Sequence, residues 1–92
     1  MSEPLRILLA DGRLVEADDL LTETRASSPP RAEIEYLLGV LRQQQERWQE
    51  ALEAYTFAVD LAPAEVTYPI AVAQVWLQLG EPHEAIAFLE SL

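Results

Sequence analysis

The 92-residue sequence contains no cysteine and no lysine, and His83 is its single histidine. Without cysteine there is no disulfide framework, no thiolate metal site and no cysteine nucleophile. One histidine without a second His or Cys ligand makes a poor metal site. The chain also lacks a glycine-rich phosphate loop and a Ser–His–Asp set. These absences predict a protein that is not an enzyme, with no catalytic residue, no cofactor and no bound metal.

Long apolar runs are absent as well. The run from Ile7 to Ala10 is far too short for a signal peptide or a membrane span, and no basic segment precedes it. We therefore expect a cytoplasmic protein that does not insert into a membrane. Hydrophobic residues make up 50% of the chain, which is enough for one domain over residues 1–92 with a modest core.

The charge is strongly acidic, with 16 Asp and Glu residues against 6 arginines. Every arginine lies at or before Arg47, and residues 48–92 carry seven acidic and no basic side chains. Such a surface repels phosphate groups, so nucleic acid and anionic membranes are disfavoured as partners. The excess of acid either keeps the protein soluble or attracts a basic or hydrophobic protein partner.

A spacing of 34 residues recurs through the chain, as in the series Ala17, Ala51 and Ala85. Further series with the same step are Gly12, Glu46 and Gly80; Leu14, Trp48 and Pro82; and Leu21, Tyr55 and Leu89. A fixed period of this length is typical of helical repeat proteins. We expect three repeats, the first and last incomplete, over about residues 2–31, 32–65 and 66–92.

Within each repeat, the apolar residues predict two antiparallel helices. Ile34 and Leu41 belong to an apolar series with helical spacing, and Pro63 ends the following helix because proline cannot donate the next hydrogen bond. The small residues Gly39 and Ala51 would let paired helices approach closely. We predict an all-α protein, a short solenoid of about three helix-turn-helix units, with helices near residues 3–10, 13–25, 32–44, 47–61, 66–79 and 82–91.

This pattern resembles the tetratricopeptide repeat, a helix-turn-helix unit with small residues in both helices and a proline at its end. The second unit matches the signature at Leu38, Gly39, Trp48, Ala51, Tyr55, Ala58 and Pro63. The third unit matches at Ala73, Trp76, Gly80, Ala85 and Leu89, and the first at Gly12, Leu14, Ala17 and Leu21. The second unit departs from the signature at Glu35, where an aromatic residue is usual.

The segment from Ala51 to Ala85 also resembles the small acidic chaperones of bacterial type III secretion that hold hydrophobic translocator subunits. The residues that carry this resemblance are Tyr55, Thr56, Phe57, Asp60, Tyr68, Pro69 and those from Leu77 to Gly80. The resemblance implies a non-enzymatic protein–protein interaction module, a chaperone or assembly adaptor that holds a segment of another protein. A needle-subunit chaperone of the same apparatus is a related alternative.

The resemblance further implies a binding groove on the concave side, lined by the first helix of each pair. The family's groove positions fall here on Arg6, Leu9, Ala10, Glu33, Tyr36, Val40, Gln43, Gln44, Thr67, Ile70, Gln74, Leu77 and Gln78. Glutamine can both donate to and accept from a peptide backbone, although an ordinary solvated helix face would also account for the glutamines. The partner expected is a peptide or helix segment of another protein, either hydrophobic or basic. Because Arg6 is the only cation in this set, we expect no carboxylate clamp of the kind that one subclass uses.

The last helix suggests an alternative function. Ala85, Ile86, Leu89 and Leu92 form an apolar stripe along it, with Phe88 at its side. Solenoids usually end in a polar capping helix, and an uncovered apolar stripe tends to find a partner. The alternative is a self-associating structural or assembly scaffold, such as a homodimer, that uses this helix as its interface.

Overall fold

The structure is a computed structural model, and it describes residues 3–92. This part of the chain forms six helices and no strand: α1 (Glu3–Ala10), α2 (Leu14–Ser27), α3 (Ala32–Gln44), α4 (Trp48–Leu61), α5 (Thr67–Gln78) and α6 (Pro82–Glu90). Successive helices pack against each other, and α1 also contacts α3. The predicted all-α helical repeat is confirmed, and each helix ends within one or two residues of its predicted bounds. The start of the predicted first repeat, at residue 2, lies outside the described residues.

The turn inside each helix pair closes the first helix with the same two hydrogen bonds. Between α1 and α2, the Arg13 N–H donates to the Leu8 carbonyl at 2.9 Å, and the Gly12 N–H donates to the Leu9 carbonyl at 3.1 Å. Equivalent pairs of bonds, 34 and 68 residues further on, close α3 and α5. This is the Schellman ending, in which backbone N–H groups satisfy the last carbonyls of a helix. The 34-residue period of the sequence is therefore also a period of the turns.

The Schellman ending requires one residue with a positive φ. Gly12 and Gly80 supply it with φ angles of 72° and 75°, whereas the middle turn holds Glu46 at 60°. Glycine adopts this conformation without a steric penalty, but a residue with a side chain loses about 1–2 kcal/mol there. The middle turn keeps the geometry of the other two and is strained at Glu46.

Two apolar clusters form the core. The first lies among α1, α2 and α3 and includes the fully buried Leu21 and Leu41. The second joins α4 to α5 and includes Tyr55 and Val72. Burial of side chains of this size stabilises the fold by about 1.5–3 kcal/mol each. Each helix pair is therefore held to the next by a buried apolar cluster.

Gly39 leaves room for an aromatic ring. A methyl group at Gly39 would overlap with the ring of Tyr55, which is only 2% exposed. The Tyr55 hydroxyl donates to the side-chain carbonyl of Gln43 at 2.6 Å, one turn further along α3. The small residue that the sequence interpretation singled out for close packing of the two helices therefore lies directly against an aromatic ring of α4. The absent side chain of Gly39 is replaced by the Tyr55 ring.

Glu35 is buried, with 2% exposure. Its Oε2 accepts a hydrogen bond from Arg25 Nε at 3.1 Å, which joins α2 to α3. Its Oε1 is buried and has no hydrogen-bond partner in the described part of the chain. An unsatisfied buried polar atom costs about 1–3 kcal/mol, and more when it is charged. The position where the repeat signature usually has an aromatic residue thus holds a buried carboxyl group with one unsatisfied oxygen.

The helices and the ligand-type side chains of residues 3–92 give no sign of a membrane span or a metal site. None of these helices has both the length and the apolar character needed to cross a bilayer. No group of three or more His, Cys, Asp or Glu side chains in this range is placed to hold a metal ion.

Candidate functional site: the concave groove

A pocket of about 240 Å³ lies between α1 and α3, on the face formed by the first helices of the pairs. We call it the α1–α3 pocket; it is lined by Arg6, Leu9, Ala10, Tyr36, Leu37, Val40 and Gln44. Six of these seven residues were predicted for the groove. Leu37 was not, because its helical position predicts a core residue, and it is indeed only 3% exposed.

A second pocket of about 370 Å³ adjoins the first and extends to α5. We call it the α3–α5 pocket; it is lined by Arg6, Glu33, Tyr36, Glu65, Thr67 and Tyr68. Arg6 and Tyr36 line both pockets, so the two form one groove across α1, α3 and α5. Glu65 and Tyr68 were not among the predicted groove residues.

Tyr36 lies at the centre of three aromatic rings. Its ring centroid is 5.5 Å from that of Tyr55 and 5.3 Å from that of Tyr68, with tilts of 38° and 39°. Tilted pairs at these distances stabilise by about 0.5–1.5 kcal/mol each beyond their burial. Tyr36 and Tyr68 are half-buried, so they present ring surface at the groove. Tyr55 packs behind them and supports Tyr36.

Sequence reasoning missed Tyr68 because the repeat register places it outside the groove. The residue 34 positions earlier is Ile34, which is 3% exposed and part of the core. The α5 helix begins at Thr67, one residue before Tyr68 and two before Pro69. The only available signal was an aromatic residue beside a proline at a helix start, and that signal does not indicate which way the ring lies.

The groove contains more acid than base. Arg6 is the only cation lining the two pockets, and its Nη2 donates to Glu33 Oε2 at 2.6 Å. This hydrogen bond is the main reason why the pKa of Arg6 is raised. Glu65 adds a second carboxylate to the α3–α5 pocket. A ligand carboxylate would meet one cation that is already neutralised, so the groove suits an uncharged or basic ligand better.

The hydroxyls of Tyr55 and Tyr68 hold their protons more tightly than a free tyrosine does. Burial raises the pKa of Tyr55, and the nearby hydroxyl of Tyr36 raises it further. Burial also raises the pKa of Tyr68, with a further contribution from the Glu65 carboxylate. The Tyr55 hydroxyl is used internally, since it donates to Gln43. Gln43, which was predicted to contact a partner, therefore has its side-chain carbonyl occupied by Tyr55.

Of the predicted groove residues of the third unit, Thr67 lines the α3–α5 pocket, and the other four lie outside both pockets. Ile70 and Leu77 are 51% and 57% exposed, and Gln74 and Gln78 are also exposed. Their spacing of four, seven and eight residues places them on one face of α5. They form an open strip of apolar and amide side chains, whereas the residues predicted in α1 and α3, apart from Gln43, line the two pockets.

The apolar stripe of Ala85, Ile86, Leu89 and Leu92 along α6 and just past its end, which we call the end stripe, is mostly exposed. The exposed members are Ile86 (53%), Leu89 (45%) and Leu92 (65%). Phe88 is half-buried, packs against the second core cluster and lines a cleft between α4 and α6. One repeat earlier, Leu52 and Tyr55 occupy the positions of Ile86 and Leu89, and they are buried against α5. The stripe therefore consists of positions that a following helix would cover.

Three stacked helix pairs with identical turns and a groove across their first helices define a tetratricopeptide-like helical repeat. The fold is similar to that of PcrH in a crystal structure of its complex with the chaperone-binding region of PopB, with a TM-score of 0.77. The two proteins share 22% sequence identity, and the similarity covers 99% of this chain and 79% of PcrH. No family model and no curated protein sequence matches the chain. The predicted repeat fold is thus confirmed by an independent structure.

Proposed function

We propose that this protein is a non-enzymatic cytoplasmic chaperone or assembly adaptor that holds a segment of another protein in the concave groove. The observation that carries the proposal is the Tyr36 ring, which lies between two adjoining pockets on the first-helix face. The fold is shared with PcrH, a protein solved in complex with the chaperone-binding region of PopB. The sequence resemblance makes a translocator subunit of type III secretion the leading class of client.

The groove favours a segment with apolar anchors and uncharged or basic neighbours. An apolar side chain in the α1–α3 pocket would contact Leu9, Tyr36 and Val40. A lysine or arginine in the α3–α5 pocket would lie close to Glu65 and to the paired Glu33. Binding energy in such interfaces is concentrated in a few buried aromatic anchors. We therefore expect Tyr36 to contribute more than any other groove residue.

A photo-crosslinking amino acid in the groove would test the proposal directly. Gln44 is exposed and lines the α1–α3 pocket, so p-benzoylphenylalanine at this position should capture the client in cells of the source organism. The same amino acid at Glu23, on the exposed surface of α2, serves as the control. Equal capture from both positions would contradict a groove-bound client.

The captured client then provides a binding assay. Tyr36→Ala should raise the Kd roughly 30-fold, as expected for an anchor that contributes about 2 kcal/mol. Tyr36→Phe keeps the ring contacts and should bind within a few-fold of the natural protein. An unchanged Kd for a folded Tyr36→Ala variant would place the client elsewhere.

A second candidate function is self-association through the end stripe, favoured by the exposure of Ile86, Leu89 and Leu92. Size-exclusion chromatography with light scattering at several concentrations would measure it. A dimer that Leu89→Glu dissociates and Tyr36→Ala does not would support the scaffold function. A monomer at every concentration would rule it out.

A further inference from the structure

Two equivalent clefts lie on the outer face, which is formed by the second helices α2, α4 and α6. Each is bounded by two consecutive second helices, and the first helix between them contributes to its floor. In the first cleft the floor residues are Leu38, Arg42 and Ala54, and the residues 34 positions later, in the second cleft, are Val72, Trp76 and Phe88. The repeat thus builds the same cleft twice with different floor residues, and Glu53 and Phe57 of α4 line both clefts.

The arginine side chains of the first cleft pair with carboxylates of the same chain. Arg42, in its floor, lies 3.6 Å from the carboxylate of Asp18, and Arg25 bonds to Glu35. Its volume is about 260 Å³. Because both arginines of this cleft already pair with carboxylates of a neighbouring helix, the cleft offers a partner protein no unpaired cation.

The second cleft, which we call the α4–α6 cleft, is larger and apolar. Its volume is about 670 Å³. Its floor is Val72, Trp76 and Phe88, and one wall is Phe57, which is 38% exposed. No arginine lines this cleft, in contrast to the first one.

Two carboxylates without a cation border the α4–α6 cleft. Glu53 and Asp60 line it from α4. Neither forms an ion pair with any other residue in the range 3–92. They are seven residues apart, which places them about 10 Å apart along one face of α4. The apolar floor is therefore bordered by two negative charges spaced by two helical turns.

A second copy of this chain is a poor occupant. All six arginines already lie within 4.0 Å of an acid of their own chain: Arg6, Arg13, Arg25, Arg31, Arg42 and Arg47. Another copy, with 16 acidic residues against these 6 cations, would bring mostly negative charge to Glu53 and Asp60. Like charges brought together at an interface oppose association.

We propose that the α4–α6 cleft is a second binding site, and that it takes a cationic amphipathic helix of a partner protein. Apolar side chains of that helix contact Phe57, Trp76 and Phe88. Basic side chains two turns apart pair with Glu53 and Asp60. This site is separate from the concave groove, so both can be occupied at once.

The test uses a synthetic 18-residue helical peptide with leucine on one face and lysine on the other. Its control is the same peptide with glutamate in place of lysine. In a Trp48→Phe variant, Trp76 is the only tryptophan left of the two, so its fluorescence reports occupancy of the cleft. We expect the cationic peptide to shift the Trp76 emission to shorter wavelength and to bind more weakly as salt is added. The anionic peptide should do neither.

Charge-matched variants separate binding at the cleft from attraction to net charge. Glu53→Arg/Asp60→Arg changes the cleft, and Asp19→Arg/Glu23→Arg makes the same change in net charge on the exposed surface of α2. The cleft variant should raise the Kd about ten-fold or more, while the α2 variant stays within about three-fold, because only the first removes paired charges. Tyr36→Ala should leave the Kd unchanged.

Four other outcomes of these binding experiments would overturn the proposal. Equal weakening by both charge-matched variants would mean attraction by net charge alone. Weakening by Tyr36→Ala but not by the cleft variant would place the peptide in the concave groove. An absence of binding by the natural protein, or a dimer that Phe57→Glu dissociates, would likewise exclude a cationic helix as the occupant.

Discussion

The Tyr55 ring lies against Gly39, in the space that a side chain at that position would occupy. The hydroxyl of the same ring reaches Gln43, and the ring stacks at a tilt on Tyr36, so one residue joins α3, α4 and the wall of the groove. A glycine in the middle of a helix costs about 0.5–1 kcal/mol relative to alanine. Here that cost is offset by the burial of an aromatic ring.

We expect Gly39→Ala to destabilise the protein by about 1–3 kcal/mol, since the added methyl group overlaps with a ring that cannot move freely. The measurement is urea unfolding followed by circular dichroism. Tyr55→Leu supplies the control, because it removes the ring. In that background the further cost of Gly39→Ala should fall to near zero, and an unchanged cost would show that the clash lies elsewhere.

Glu46→Gly should increase the free energy of unfolding by about 1 kcal/mol, because glycine relieves the strain of the positive φ. The matched controls are Gly12→Ala and Gly80→Ala, which introduce the same strain in the other two turns and should destabilise. A Cβ at either glycine has no atom within 4 Å beyond the glycine and its two chain neighbours, so any loss of stability in the controls reports backbone conformation alone. A neutral or destabilising Glu46→Gly would mean that the turn tolerates glutamate without strain.

Arg25→Ala should destabilise by about 1–3 kcal/mol, because it removes the hydrogen bond that Glu35 now has and leaves the whole carboxylate buried without a partner. Glu35→Leu should be neutral or stabilising, since an apolar side chain suits the buried position. In the double variant the cost of Arg25→Ala should vanish. A full cost in the Glu35→Leu background would show that Arg25 acts through other contacts.

Stability should fall at alkaline pH because of Tyr55. Its pKa is raised in the folded protein, so the folded state holds the proton more tightly than the unfolded state does. The stabilisation is complete below the unfolded pKa of about 10 and is lost as the pH rises above it, by up to about 1.4 kcal/mol per pH unit. Urea unfolding between pH 8 and about 11 would measure this slope. Tyr55→Phe should reduce it, and an equal slope in that variant would assign the effect to other groups.

Much of the fold could be predicted from local sequence. The helix ends were predicted within one or two residues, because glycines, prolines and apolar spacing act through neighbours a few positions away. Six of the seven residues of the α1–α3 pocket were predicted from the resemblance to the tetratricopeptide repeat, whose groove positions were carried over in the register of α1 and α3. The register failed at Tyr68, whose ring lies at the groove although its counterpart Ile34 is buried in the core.

The sequence by itself determined the 34-residue period, the three turns that carry it, the acidic surface and the all-α class. Each of these features depends on backbone preferences or on composition, and none of them requires knowledge of contacts between residues far apart in the chain. Only the tertiary structure decided that Tyr55 fills the space at Gly39 and that Glu35 keeps an unsatisfied oxygen. It also decided that the α4–α6 cleft is large and has no arginine, while its counterpart is smaller and contains two. These depend on which side chains meet between helices, and packing in three dimensions selects among contacts that the period alone leaves equivalent.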